Sequence, residues 1–158
     1  MIAHYLHTIV LSGYYDPKQW RKWADDCILN RNDTPLWIYD VSLAKNLEDF
    51  FLIISHPKTV EFVDNNNSYW EPDVVIGYYY LMYIEGRLSI SDLLDRLTDE
   101  DDYSNESVVL DNNDFMTALL GSSAVDLYSL DTALKPQLYR ACCQKKILEL
   151  FSQDLIHY

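Results

Sequence analysis

Acidic side chains are concentrated between Asp92 and Asp114, where the chain has nine acids and a single base, Arg96. The acids are Asp92, Asp95, Asp99, Glu100, Asp101, Asp102, Glu106, Asp111 and Asp114. Carboxylates at this density can form charge-assisted hydrogen bonds with Lys and Arg, coordinate a hard cation, or transfer protons in catalysis. The rest of the sequence is needed to choose among these kinds of chemistry.

A calcium site of the EF-hand type is not predicted by the acidic segment. That site needs a glycine for the sharp turn of its loop, and no glycine lies between Gly86 and Gly121. The oxygen-rich stretch from Asp64 to Asn67 lacks the turn glycine as well. Acid–base catalysis by a pair of carboxylates stays open, because a sequence does not report the distance between them.

Two histidines, His4 and His7, stand three residues apart, so that a helix would place them on one face. Such a pair can begin a metal site, but a closed site needs further ligands, and the chain has no H-E-x-x-H motif. We therefore expect no bound metal and no cofactor. A small metal-binding enzyme that uses His4, His7 and nearby carboxylates is kept as an alternative.

The signatures of nucleophilic and phosphate-binding sites are missing. The three cysteines, Cys27, Cys142 and Cys143, do not form a disulfide pattern, and Cys27 and Cys142 lie on apolar helical stripes typical of structural thiols. There is no G-x-S-x-G motif and no glycine-rich phosphate loop among only four glycines. A protein without catalytic residues is predicted.

Composition narrows the class of partner. The chain has 158 residues, a formal net charge of -13, 49% apolar residues and 13 tyrosines. This is enough apolar material for one folded domain, and the negative charge disfavours direct contact with nucleic acid or an anionic membrane. The start at Met1 has no basic signal region, and the apolar run from Val74 to Ile84 is too short to span a bilayer, so a cytoplasmic location is predicted.

Helix start signals dominate the pattern of secondary structure. Asp16-Pro17 and Thr34-Pro35 each resemble a cap followed by a proline in the first turn, and Ser89 to Asp92 has the spacing of a capping box. Apolar stripes of helical period follow these signals. They comprise Trp20, Trp23, Ala24, Cys27 and Ile28; Leu36, Leu43, Ala44, Leu47, Phe50, Phe51 and Ile54, with a possible break at Asn46; and Ile90, Leu93, Leu94 and Leu97.

The remaining segments complete an all-α expectation. The run from Val74 to Ile84 is apolar on every side, which favours a central buried helix closed by Gly86 over a strand. Residues 98–107 are predicted as a charged loop, a further helix follows Asp111, and a long C-terminal helix begins near Asp131. We expect a single compact all-α domain over residues 1–158, with roughly six to eight helices around the central one.

The overall profile resembles that of small acidic immunity proteins, which bacteria make against their own toxins, including those of contact-dependent growth inhibition systems. Size, acidity, abundant tyrosine and the lack of catalytic motifs are the shared properties. The most motif-like stretches, Trp20-x-x-Trp23-Ala24-Asp25, Pro35-Leu36-Trp37-Ile38 and the tyrosine-rich segment from Gly77 to Gly86, resemble bacterial all-α proteins. The resemblance implies a toxin inhibitor, and it transfers no functional residue.

The favoured interpretation is a non-enzymatic, cytoplasmic immunity protein that neutralises a basic toxin domain, with a nuclease as the expected class. Its carboxylates would take the place of phosphates in the basic groove of the toxin, and Tyr103 would be an aromatic anchor. The expected contacts are Asp95, Asp99, Glu100, Asp101, Asp102, Tyr103 and Glu106. An all-α adaptor with a tyrosine-rich contact surface is a further alternative, and the oligomeric state is left open.

Overall fold

The computed structural model describes residues 1–56, 71–101 and 127–156, and every regular element in these ranges is an α-helix. The all-α prediction is therefore confirmed. The helices are α1 (Ile2–Leu11), α2 (Pro17–Asn30), α3 (Leu36–Leu43), α4 (Leu47–Ile54), α5 (Glu71–Ile84), α6 (Ile90–Asp101) and α7 (Leu127–Ser152). The helix predicted after Asp111 lies outside the described residues.

The chain divides into two compact units. The first unit comprises Met1–Ser68 and Cys143–Tyr158, and the second comprises Tyr69–Cys142. In the first unit α2 packs against α3, while α4 packs against α3 and α1. In the second unit α5 packs against α6. The expectation of one domain over residues 1–158 stays a prediction.

The start of α2 follows the local sequence. Asp16 accepts hydrogen bonds from the backbone N–H groups of Lys18 and Gln19, at 2.8 and 2.9 Å, and the Gln19 side chain accepts one from the Asp16 N–H. This is a complete capping box with Pro17 in the first turn. Behind it Trp20, Trp23, Ala24 and Cys27 are buried, as the helical stripe predicts.

The segment after Thr34 differs from the sequence prediction. Thr34 does not cap α3, because its hydroxyl donates instead to the carbonyl oxygen of Cys27 at the end of α2, at 3.0 Å. Asn46 does divide the apolar run into two helices, since its side chain accepts the N–H of Asp49 and starts α4. The predicted stripe is wrong in α3, where Leu36 and Leu43 are exposed and Ile38 and Val41 are buried.

Helix α5 fills the core of the second unit. Seven of its residues are buried: Val74, Val75, Ile76, Tyr78, Tyr79, Tyr80 and Met82. Its end is a Schellman motif, in which Gly86 has a φ of +72° and donates to Tyr83, while the Arg87 N–H donates to the Met82 carbonyl. The predicted helix and the closing role of Gly86 are confirmed.

The second glycine of this region, Gly77, permits close contact between α5 and α7. A Cβ atom placed there would lie 2.0 Å from the carbonyl oxygen of Gln137 and 3.1 Å from the Cβ of Ala141. Pro136 precedes Gln137 in α7. Because proline has no backbone N–H, one hydrogen bond of the helix is missing there. Helix α7 begins at Leu127, ahead of the predicted start, and Asp131 lies within it.

The C-terminal end of α7 is fixed to α2 by Arg31, whose side chain is only 2% exposed. Its Nη1 donates to the carbonyl oxygens of Phe151 and Ile156, at 3.1 and 2.9 Å, and its guanidinium stacks 4.0 Å from the Phe151 ring centroid. Two carboxylates supply the negative charge: Asp33 lies 3.1 Å from Nη2 of Arg31, and Asp154 lies 3.2 Å from its Nη1. Asp154 has a φ of +57°, in the left-handed region that aspartate enters more readily than most residues.

Replacement of Gly77 by alanine tests the α5–α7 contact. Helix propensity alone would make Gly77→Ala about 1 kcal/mol more stable. The added methyl group must instead displace a backbone carbonyl, so we expect a loss of about 3 kcal/mol or more in the free energy of unfolding, measured with urea. Gly86→Asn is the control and should cost less than about 1 kcal/mol, because asparagine tolerates positive φ. A stabilised Gly77→Ala protein would contradict the contact.

Replacement of Arg31 by methionine tests the clamp at the C-terminus. Two carbonyl groups and one partly buried carboxylate would lose their cation, so we expect a loss of about 2–4 kcal/mol in thermal or urea unfolding. The control is Lys18→Met, which removes one positive charge from an exposed position in the first turn of α2 and should change stability by no more than about 0.5 kcal/mol. Equal effects of the two variants would show that Arg31 has no special structural role.

Candidate functional site

Helix α6 positions the described part of the acidic segment. Its start is the predicted capping box: the Ser89 hydroxyl accepts the Asp92 N–H at 3.1 Å, and the Asp92 carboxylate accepts the Ser89 N–H at 3.3 Å. Leu93, Leu94 and Leu97 are buried on the opposite face. These leucines fix the rotation of the helix, so its acidic face must point away from the core.

The acidic face of α6, as far as its side chains are described, consists of Asp92 and Asp95, which stand three residues apart. Asp92 and Asp95 are exposed. Hydrogen bonds from the hydroxyl and the backbone N–H of Ser89 lower the pKa of Asp92, so it stays ionised at neutral pH. The single base of the segment, Arg96, lies 5.2 Å from the centroid of the Tyr79 ring.

The end of α6 corrects the predicted charged loop, because residues 98–101 belong to the helix. A helix continues past its last apolar residue when each added residue gains a backbone hydrogen bond. Three expected contact residues, Asp99, Glu100 and Asp101, therefore have helical backbone, and Asp95 is exposed on the same helix. The other three, Asp102, Tyr103 and Glu106, lie outside the described residues.

A second surface, on α3, was missed by the sequence analysis. Leu36 is 83% exposed, Leu43 is 77% exposed and Tyr39 between them is 43% exposed. A neighbouring leucine on α2, Leu29, is 80% exposed. Large apolar side chains grouped on one face are typical of contact surfaces. The signal was present in the sequence, since the apolar residues of this short helix are spread over several sides, and one small unit cannot bury them all.

The histidines of the metal alternative are half-buried on α1. The His7 ring packs edge-on against Phe51 of α4, with ring centroids 5.3 Å apart, and the His4 ring lies 6.2 Å from that of Tyr5. Within residues 1–56, 71–101 and 127–156, no group of three or more His, Cys, Asp or Glu side chains is placed to hold a metal ion. Both histidines therefore lie against aromatic rings, and the metal-binding enzyme stays an untested alternative.

Two tyrosines, the buried Tyr80 and the half-buried Tyr15, lie near carboxylates. The Tyr80 hydroxyl donates to Asp131 at 2.6 Å, and burial, followed by this hydrogen bond, raises the pKa of Tyr80. Burial and the nearby charge of Glu149 raise the pKa of Tyr15 to about 12. Both hydroxyls are protonated at neutral pH, so neither can be a base there. The Tyr80–Asp131 hydrogen bond joins α5 to α7.

The three cysteines are thiols in different environments. Cys27 is fully buried on α2, Cys142 is exposed and Cys143 is intermediate. Burial raises the pKa of Cys27 from 9.0 to about 12; Asp26 adds to the increase and Arg31 opposes it. A thiol that is buried and protonated is not a nucleophile. The prediction of a structural Cys27 is consistent with this environment, whereas Cys142 is more exposed than its place on an apolar stripe suggests.

Thiol labelling tests these environments. At pH 8 a disulfide reagent such as DTNB should modify Cys142 quickly and should reach Cys27 only after denaturation. The raised pKa also predicts a pH effect. Because the thiolate forms more readily in the unfolded chain, the contribution of Cys27 to stability is complete below pH 9 and is lost as pH rises from 9 to about 12. Cys27→Ala should remove this component, and rapid labelling of Cys27 in the native protein would contradict it.

Comparisons with known proteins add no identification. None of the helices in the described ranges is long and apolar enough to cross a membrane. No family model, curated protein or solved structure matches this chain.

Proposed function

We propose that this chain is a non-enzymatic immunity protein, which binds and neutralises a cognate basic toxin domain of the nuclease class. The observation behind the proposal is the acidic face of α6, where Asp92 and Asp95 are exposed and are held on a helix whose other face is buried. The net charge of -13 gives the whole molecule a field that attracts a basic partner.

The charge order along α6 adds to this argument. Its last turn includes acidic residues and no basic residue, which is the reverse of the order that stabilises a helix C-terminus. Such an arrangement costs folding free energy unless a cation approaches it. A bound basic partner would remove this unfavourable interaction. The same acids that attract cations therefore lower the stability of the free protein.

The mechanism of inhibition follows from the chemistry of nucleases. A nuclease binds the phosphate backbone of its substrate with Lys and Arg side chains. A row of carboxylates on a rigid helix can form charge-assisted hydrogen bonds with the same side chains. The immunity protein would then compete with the substrate for the groove without any catalytic step of its own.

The proposal is tested by association kinetics with catalytically inactive forms of basic nuclease toxin domains, beginning with any such domain that is found to be encoded beside this gene. Loss of two charges in Asp95→Asn/Asp99→Asn should slow association about three- to tenfold at low salt and should flatten its salt dependence. Protein stability should stay the same or rise by up to about 0.5 kcal/mol per substitution, because acids toward the C-terminal end of a helix interact unfavourably with its dipole.

A control with the same net charge isolates the position of the acids. Glu48→Gln/Glu85→Gln also removes two negative charges, from exposed positions on α4 and just after α5. Its association rate should stay near that of the unmodified protein. Equal rates for the two double variants would rule out α6 as the docking surface. Failure of the unmodified protein to bind any basic toxin domain, or to protect cells that express one, would overturn the immunity function itself.

A further inference from the structure

The exposed face of α3 is built from four residues that follow the helical repeat: Leu36, Tyr39, Asp40 and Leu43. Three are large and apolar, and Asp40 is an exposed acid set among them. A protein normally leaves leucines exposed singly, and contiguous apolar patches of more than a few hundred Å² mark contact surfaces. The pattern on α3 is apolar side chains around a carboxylate.

This face is rigid because the rest of α3 is firmly attached to α2. Ile38 and Val41 are fully buried, and Ala44 just after the helix is nearly so. Arg21 of α2 donates from Nε to the carbonyl oxygen of Ala44 and from Nη2 to that of Lys45, both at 2.8 Å. A helix held at its C-terminal end in this way is preorganised, so a partner would lose little entropy by docking on it.

The apolar surface extends from α3 onto α2. The hydroxyl of Ser42 donates to the carboxylate of Asp25, which fixes the register of the two helices. Leu29 lies one turn after Asp25, and Tyr39 lies about one turn before Ser42, so the two occupy the same level of this antiparallel pair. Leu29 therefore adds a third strongly exposed leucine beside the α3 face.

Charge decides which occupant fits. Helix α3 has no Lys or Arg, Asp40 lies within its apolar face, and Asp25 lies at the seam with α2. A second copy of the chain would bring its own Asp40 to the contact and a net charge of -13 to the pair, so like charges would repel. An amphipathic segment with apolar side chains on one side and Lys or Arg beside them would satisfy both features.

We propose that the face formed by Leu36, Tyr39, Asp40 and Leu43, together with Leu29, binds a basic amphipathic segment of the partner toxin domain. The leucines and Tyr39 would bury apolar surface, and Asp40 would pair with a Lys or Arg. This inference rests on the proposed function, because it assigns a holding surface to the same basic partner that α6 attracts. The two surfaces would have different roles. The carboxylates of α6 would set the association rate, and the apolar contacts of α3 would set the lifetime of the complex.

The kinetic test uses Leu36→Gln/Leu43→Gln and the inactive toxin domain described above. Glutamine has nearly the helix propensity of leucine, and both positions are exposed, so stability should be retained. We expect the dissociation rate to rise about tenfold or more, while the association rate and its salt dependence stay unchanged. Asp40→Asn should raise the dissociation rate by a smaller factor.

The control is Leu52→Gln on α4, a leucine that is 68% exposed. Its dissociation rate should match that of the unmodified protein. An equal increase for Leu52→Gln would show general apolar adhesion and overturn the assignment to α3. Unchanged dissociation in the α3 double variant, with normal binding by the parent protein, would overturn this inference and leave the proposed function standing. No binding by the parent protein would instead reject the proposed function, and the α3 assignment with it.

Two measurements without kinetics complete the test. Hydrogen exchange should slow at the backbone amides of α3 when the toxin domain is bound. Sedimentation of the isolated protein should be the same for the parent and the Leu36→Gln/Leu43→Gln variant. If the parent sediments as a dimer and the variant as a monomer, the occupant of the face is a second copy, and the toxin segment is rejected.

Discussion

The attachment of the C-terminal end of α7 to α2 is the interaction on which the first unit depends. Arg31 connects α2 to carbonyl groups of Phe151 and Ile156, which are more than a hundred residues away in the chain. The indole N–H of Trp23 donates to the carbonyl oxygen of Leu148 at 2.8 Å beside it. Bringing such distant segments together costs loop-closure entropy, so the contacts that hold them must be strong. A buried guanidinium with two carboxylates and two carbonyls meets that requirement.

The second unit depends on a steric constraint instead of a charged one. Gly77 lets the backbone of α7 approach α5 at Gln137, at a distance that no side chain would permit. The same helix α5 carries Tyr80, whose hydroxyl is hydrogen-bonded to Asp131 of α7. With α5 fixed in this way, α6 packs against it through its leucines. The exposure of Asp92 and Asp95 is therefore a consequence of how the core of this unit is built.

Two kinds of surface result, and they have different physical properties. The acids of α6 act over about a Debye length, so they influence how often a charged partner arrives and are weakened by salt. The leucines of α3 act only in contact, and ionic screening does not weaken their effect. In the proposed function these properties are complementary. Charge attraction alone gives a complex that dissociates quickly, whereas apolar contact alone gives a complex that forms slowly.

The sequence by itself determined the helix boundaries wherever the responsible interactions are local. Asp16, Asn46, Ser89 and Gly86 each act on backbone groups within a few residues, so their roles could be predicted from spacing alone. It also determined the buried face of α6, because only one face of that helix is apolar. The extension of α6 to Asp101 was missed, since an apolar stripe can end before the helix does.

Only the tertiary structure decided which side of α3 is buried. The apolar residues of that helix are spread over several sides, so its periodicity favours no face, and the choice was made by its contacts with α2 through Ile38 and Val41. The roles of Arg31 and Gly77 were also invisible in the sequence, because the groups they meet lie far away along the chain. Local hydrogen bonds are encoded in short spacings, whereas burial depends on which distant segments meet.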